Sequence, residues 1–258
     1  MTIAPSLLLA GLLVALVAGV VRGFAGFGFS ALTVAGMSLF MPPASIVPVA
    51  LVLEVLASLS LLRSTAHHAD RDWLRWLVAG NAVFIPVGVA LLTVLPDTLL
   101  RLLVGAALMT TAAGLRIGVG YRFAPNRRLR ATAGVVSGLL TGVAASGGVV
   151  AAMLMTASGM PPAALRGTMI TFLVFCGSYA LVCAALATTG AMPASRLLGP
   201  DTLLWGLVLG SGMLAGIRIG RHLFEGADPA RFHGFVLNLL IFISGLGVAR
   251  AAYDLAGN

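Results

Sequence analysis

Residues 19–43 read GVVRGFAGFGFSALTVAGMSLFMPP, and residues 134–162 repeat the plan as GVVSGLLTGVAASGGVVAAMLMTASGMPP. Both stretches open with Gly-Val-Val-x-Gly and end at Met-Pro-Pro, although the second is four residues longer. Each contains a break of small residues, Gly26-Phe27-Gly28 in the first and Ser146-Gly147-Gly148 in the second. Three long apolar segments follow each stretch, so the sequence indicates an internal duplication.

The composition defines the class of protein in which this duplication occurs. Hydrophobic residues make up 59% of the 258 residues, and charged residues only 9%. A soluble domain carries about 25% charged residues. We therefore expect an all-α integral membrane protein with a single membrane domain over residues 1–258. Because no basic residue precedes the first apolar run, we do not expect a cleavable signal peptide.

Ten apolar segments divide between two repeats joined by a predicted cytoplasmic linker, residues 119–130. Six segments approach the roughly 20 residues that a membrane span needs, while the four beside the breaks are shorter. Repeat 1, residues 1–118, is predicted to contain a hairpin over 6–41 and spans at 44–62, 73–94 and 97–117. Repeat 2, residues 131–252, is predicted to contain a hairpin over 131–159 and spans at 163–188, 202–220 and 232–252.

Arginine supplies all sixteen basic residues, and its distribution over the loops predicts the topology. If each broken pair of segments is a re-entrant hairpin, twelve arginines lie on one side of the membrane and three on the other. If each pair is one continuous broken span, the division is ten against five. The positive-inside rule favours hairpins, which leave three spans in each half and so invert the repeats. Both ends of this chain are then expected outside the cytoplasm. The alternative that each broken pair of segments forms a full span stays open.

The breaks predict a binding site for an anion. A helix that begins at a break exposes unpaired N–H groups and about half a positive charge. Two such starts that converge near the midplane, as in transporters with inverted repeats, suit a small anion, and glycine lets the backbone approach it closely. Arg22 adds a full charge, hydroxyl groups add donors and phenylalanines exclude water. The predicted substrate-binding residues are Arg22, Gly26, Phe27, Gly28, Phe29, Ser30, Thr141, Ser146, Gly147, Gly148 and Thr168.

Two other interpretations of these residues stay open. The glycines are also compatible with close helix packing alone, which is common in membranes. Arg22 is also compatible with an anchoring role near a membrane surface.

Glu54 is the only acidic residue in the interior of a predicted span, where ionisable groups are costly and usually functional or paired. It is a candidate for proton coupling, and equally a partner for Arg22 or another arginine. The repeat alignment places Leu173 opposite Glu54, so either role is confined to the first half.

No sequence pattern indicates catalysis, a cofactor or a metal. Walker loops, nucleophile elbows, His-Glu-x-x-His and Cys-x-x-Cys are all missing from the sequence. The arginines are scattered over short loops rather than clustered as a nucleic-acid surface, so topology explains them better. We therefore expect no enzymatic activity, no cofactor and no bound nucleic acid.

The two break motifs, with their Pro-Pro turns, resemble those of the sulfite exporter TauE/SafE family of bacterial membrane permeases. The resemblance implies a multi-pass protein of the cytoplasmic (inner) membrane that transports small sulfur-containing anions such as sulfite or sulfonates. Phenylalanines alternate with Gly26 and Gly28 here, which favours an organic anion with an apolar part. The alternative function is a passive channel for an anion or small solute. The expected partners are the anionic substrate and the lipid bilayer, and a homodimer is left open.

Overall fold

The computed structural model describes residues 5–118, 126–189, 201–224 and 229–256. These residues form ten α-helices and a short 3₁₀ turn at Ala66–His68, and no strand occurs among them. The predicted all-α class is therefore confirmed. The predicted linker lies outside the described residues up to position 125.

The helix order repeats: each half has one helix before its break, a short helix after it and three further helices. The first half contains α1 (Pro5–Ala25), α2 (Phe29–Met37), α3 (Pro43–Thr65), α4 (Arg71–Val94) and α5 (Asp97–Gly118). The second half contains α6 (Arg127–Ala144), α7 (Gly147–Ala157), α8 (Pro162–Thr189), α9 (Asp201–Phe224) and α10 (Pro229–Ala256). As expected from the sequence, the two short helices begin directly after the breaks.

Within the described ranges, four helices are long and apolar enough to cross a membrane. Their apolar stretches are Pro5–Phe24, Pro43–Arg63, Arg71–Val94 and Pro162–Ala187. The last three match predicted spans, and α5, α9 and α10 cover the positions of the other three. The stretch Pro5–Phe24 corrects an expectation. The apolar segment before the first break, residues 6–22, is one of the four that the sequence predicts to be shorter than a span. Arg22 stays within α1, which continues to Ala25 and ends only where Gly26 turns to a positive φ of 82°.

The two short helices lie in the protein interior. All nine residues of α2 are buried, and most residues of α7 are buried as well. The helix starts at the two breaks are thus surrounded by protein. Irregular backbone at membrane depth is tolerated under this condition.

Two helix pairs, α1 with α9 and α4 with α6, pack most extensively, and each joins one half to the other. Glycines allow this close approach, since a Cβ at Gly216 would overlap the carbonyl of Leu16 and one at Gly142 would overlap that of Ile85. Small residues are the usual means by which helices approach in a membrane. Packing therefore explains the glycines where α1 meets α9 and where α4 meets α6, whereas a Cβ at Gly206 or Gly245 would meet nothing within 4 Å.

The helices on either side of the first break form a hairpin. Gly36 lies against Val14, and Gly28 lies against Val21, so α2 runs back along α1. The Pro42-Pro43 turn then starts α3, which again runs in the direction of α1. Arg22, near the end of α1, consequently lies level with the second half of α3.

Helices α3 and α8, which each follow a Met-Pro-Pro turn, pack against each other in opposite directions. Gly177 lies against Val55, whereas Gly167, earlier in α8, lies against the carbonyl of Thr65 at the end of α3. This antiparallel pair brings Arg166, at the start of α8, to the end of the molecule that holds the C-terminus of α3.

Candidate functional site

The first break is a left-handed turn that only glycine adopts without strain. Gly26 has a φ of 82° and Gly28 a φ of 92°, and α2 begins at the next residue, Phe29. A Cβ on Gly26 would meet only Arg166 Cγ, at 4.0 Å. Backbone conformation, rather than lack of space, therefore requires glycine at this position.

A buried ion pair lies beside this turn. The Arg22 guanidinium pairs with the carboxylate of Glu54, and the two residues are only 3% and 2% exposed. Arg22 Nη2 also donates to Ser58 Oγ at 2.6 Å, one helical turn beyond Glu54 on α3. Arg22 Nε has no hydrogen-bond partner among the described residues. The guanidinium thus retains one donor for a further acceptor.

Glu54 also accepts a hydrogen bond from the start of α2. The Ser30 N–H, in the first turn of that helix, donates to Glu54 Oε2 at 3.1 Å. A carboxylate at a helix N-terminus is stabilised by the exposed N–H groups and by the helix dipole. In this conformation, an anion of the chain itself occupies the position predicted for a substrate anion. Pairing of Glu54 with Arg22 is observed, whereas its role in proton coupling stays a prediction.

A cavity of about 620 Å³ adjoins the ion pair. It lies between α1, α3, α9 and the start of α8, and its lining includes Arg22, Arg166, Arg218 and Arg221. No acidic side chain is among the described residues that line it. Four cationic groups without a lining carboxylate make the cavity strongly attractive to anions.

The remaining wall of the cavity is largely apolar. Leu56 of α3 and Leu207 and Leu214 of α9 line it and are themselves 54–74% exposed. Gly206 and Gly210 add surface without side chains. The cavity therefore combines cationic groups with an apolar wall, which suits an anion that carries a hydrocarbon group.

The second break has a different local structure. Ala145, rather than a glycine, takes the left-handed conformation with a φ of 51°, and α7 begins at Gly147. Ser146 lies at the N-cap position, as expected, but its side chain makes no capping bond to the α7 backbone. The reason is that its Oγ points back to the Leu140 carbonyl of α6, at 3.5 Å.

Close packing surrounds the start of α7. A Cβ at Gly147 would overlap the carbonyl of Ser137 and the hydroxyl of Thr141, and one at Gly148 would press on Leu173 at 2.8 Å. Ser146 and Thr141 are each 2% exposed. At this break an apolar side chain, Leu173, lies where Glu54 lies in the first half.

Asn81 of α4 organises the polar groups near the second break. Its Nδ2 donates to the carbonyls of Leu77 and Gly134 and to Ser137 Oγ, at 2.7–3.2 Å. Thr141 Oγ1 donates to the Ser137 carbonyl at 2.8 Å. These bonds satisfy the buried polar groups between α4 and α6 and indicate a structural role.

The structure brings some of the predicted site residues together and separates others. Arg22 and Gly26 line the cavity, and Ser30 reaches Arg22 through Glu54. Phe29 is fully buried in the core, while Phe27 and Gly28 are half-buried beside the turn. The second group comprises Thr141, Ser146, Gly147 and Gly148, and none of them is among the described residues that line this cavity. Convergence of both breaks on one substrate stays a prediction.

Thr168 lies apart from both groups. It is fully buried, and its Oγ1 accepts a hydrogen bond of 2.8 Å from the Asp70 N–H, before α4. The hydroxyl therefore connects the start of α8 to the turn between α3 and α4.

Sequence reasoning missed Ser58, Arg218 and Arg221, and it interpreted Arg166 as a marker of the membrane surface. Ser58 carried a usable signal, because it follows Glu54 by four residues and so shares its helix face. Arg218 and Arg221 are likewise three apart on α9. Nothing in the sequence indicated that α9 packs along α1, which brings these arginines to the first break.

Four apolar helices of spanning length, together with a helix break that protein surrounds, indicate a polytopic membrane protein. The family model of the Sulfite exporter TauE/SafE family matches residues 11–247, and the chain therefore belongs to this family of membrane transporters. The resemblance inferred from the break motifs is confirmed. No curated protein and no solved structure matched the chain in the same comparisons.

Proposed function

We propose that this chain is a secondary transporter that exports small sulfur-containing anions, with Arg22 at the first break as the main anion-binding group. The observation that carries the proposal is the cavity that leads past three arginines to the buried guanidinium of Arg22. Arginine suits sulfite and sulfonate groups because its planar donors can bind two oxygens at once. The family membership supports the same class of substrate.

An organic sulfonate fits the cavity better than a bare inorganic ion. The cavity volume of about 620 Å³ lies within the roughly 300–1,000 Å³ that is typical of small-molecule pockets. The apolar side chains of α3 and α9 would contact a hydrocarbon group while the arginines bind the sulfonate oxygens. Desolvation of that hydrocarbon group favours binding by about 25 cal/mol per Å² of apolar surface removed from water.

The proposed topology has two inverted repeats in the inner membrane, each with a re-entrant hairpin. The antiparallel course of α3 and α8 supports it, since these helices occupy equivalent places in the two halves. Both ends of the chain then lie outside the cytoplasm. Arg166, Arg218 and Arg221 lie at the cytoplasmic end under this topology, so the cavity is open to the cytoplasm, as loading for export requires.

Cysteine labelling tests the inversion. Phe40, directly before the first Met-Pro-Pro turn, and Ala163, directly after the second, are both exposed. In intact cells, a maleimide that cannot cross the membrane should label Phe40→Cys but reach Ala163→Cys only after permeabilisation. The parent chain, whose cysteines both lie within α8, is the blank. Equal accessibility of both positions from one side would contradict inverted repeats.

Transport measurements distinguish a carrier from the alternative, a passive channel. Purified protein in sealed liposomes should accumulate labelled ethanesulfonate above its external concentration when a pH gradient is imposed. Protein-free liposomes, and liposomes in which an ionophore removes the gradient, are the controls. Equilibration without accumulation would indicate a channel, and exclusion of every sulfonate, sulfite and thiosulfate would refute the proposed function.

A further inference from the structure

Glu54 already binds the hydrogen-bond donors that a substrate anion would need. Its carboxylate pairs with Arg22 through one oxygen and accepts the Ser30 N–H through the other. Both oxygens are thereby engaged, and Glu54 is 2% exposed. An incoming anion that binds Arg22 and the start of α2 must displace this carboxylate.

We propose that Glu54 is a built-in competitor of the substrate and that it must take up a proton before the anion can bind Arg22. This inference rests on the proposed function and specifies how its site works. In the resting state the Arg22 charge is balanced by the Glu54 carboxylate. In the loaded state Arg22 is balanced by the substrate, and Glu54 is a neutral carboxylic acid.

The charge balance follows directly. Arg166, Arg218 and Arg221 are exposed and screened by water, so a second anion beside ionised Glu54 would leave two anions on the buried guanidinium of Arg22, which is strongly unfavourable. One proton, taken from water by the carboxylate oxygen, removes that excess when a monoanion binds. No covalent or redox step is involved, and each monovalent anion is accompanied by one proton.

The ionisable groups on the helices around Glu54 indicate why the proposed competition with the substrate is assigned to this residue. Helix α2, packed on α3, has no ionisable side chain, and Arg22 is the charge that α1 presents. Helices α8 and α9 contribute only cations to the cavity beside the pair. Two other titratable groups of α8 face elsewhere, since Cys176 contacts Thr141 and Tyr179 donates to the Ala82 carbonyl at 3.0 Å.

The charged groups of the other helices packed on α3 lie near helix ends. Those at the starts of α4 and α6, and the histidines of the 3₁₀ turn, are exposed or half-exposed, as are Asp97 and Arg101 near the start of α5. Among the described residues, Glu54 is thus the acid in direct contact with Arg22.

The second half of the chain provides an internal comparison. The Gly-Val-Val-x-Gly motif places Ser137 opposite Arg22, and the alignment through the Met-Pro-Pro turns, which is shifted by four residues, places Leu173 opposite Glu54. Gly148, at the start of α7, lies against Leu173 as Ser30 lies against Glu54. The short helix after a break can therefore begin without an arginine and a glutamate beside it, and proton linkage is confined to the first half.

The test compares wild-type protein with Glu54→Gln, using methanesulfonate, a monoanion whose charge stays constant between pH 5 and 8. In the wild type, the apparent Kd should rise about tenfold per pH unit once Glu54 is mostly ionised. In Glu54→Gln, which holds no carboxylate, the Kd should be the same across the range. A pH-dependent Kd of equal slope in both proteins, or a constant Kd in the wild type, would overturn the inference while leaving anion binding established.

The melting temperature provides a second measurement if Glu54→Gln folds too poorly for its Kd to be determined. Glu54→Gln leaves Arg22 buried without its counter-ion, so its melting temperature should fall in anion-free buffer and recover when methanesulfonate replaces the lost carboxylate. A Glu54→Gln protein that methanesulfonate does not stabilise would contradict the proposal. Absence of binding by the wild type at every pH would refute the proposed function itself.

Discussion

Replacement of Arg22 by alanine is expected to lower the free energy of unfolding by about 3–5 kcal/mol at neutral pH. The substitution leaves the Glu54 carboxylate buried, with the Ser30 N–H as its remaining hydrogen-bond donor among the described residues. A buried charge without its partner is costly because the low-dielectric interior replaces little of the lost hydration. Denaturant unfolding in detergent micelles measures the change.

Arg63→Ala is the matched control, since Arg63 is an exposed arginine near the end of α3. Its effect should stay within about 0.5 kcal/mol, as for most surface substitutions. If Arg22→Ala were as mild as Arg63→Ala, the ion pair would contribute nothing to stability and its assignment would be wrong.

Removal of both charges should restore most of the lost stability. The double variant Arg22→Ser/Glu54→Leu gives the first half the residues that the second half already has at these positions. Replacement of a buried ion pair by apolar groups is often neutral or stabilising, whereas removal of one partner is not. The single variants Arg22→Ser and Glu54→Leu, together with this double variant, form a cycle that isolates the coupling between Arg22 and Glu54.

The overall plan of this protein was predictable because it depends on repeated local signals. The Met-Pro-Pro turns and the small-residue breaks recur in both halves, and α2 and α7 begin where those breaks predict. The end of α1 was harder to place. Arg22 interrupts the apolar run, yet arginine is a good helix former and α1 continues to Ala25, where Gly26 ends it.

The site was only partly predictable because its members meet through packing between distant helices. Arg22 and Glu54 are each conspicuous in the sequence, but periodicity could not decide whether they pair. Arg218 and Arg221 reach the first break only because α9 lies along α1, a contact that depends on glycines more than 190 residues apart, such as Gly19 and Gly216. The direction of the Ser146 side chain was not predictable from the sequence, since it depends on the Leu140 carbonyl, which lies 3.5 Å from its Oγ.

The same Arg22→Ser/Glu54→Leu variant provides the most direct test of anion binding at the first break. Wild-type protein should be stabilised by ethanesulfonate, by about 2.7 kcal/mol at an anion concentration 100 times the Kd. The double variant should remain folded but lose this stabilisation, because the guanidinium that binds the anion is gone. Equal stabilisation of both proteins by ethanesulfonate would contradict the account, because the anion would then bind somewhere other than Arg22.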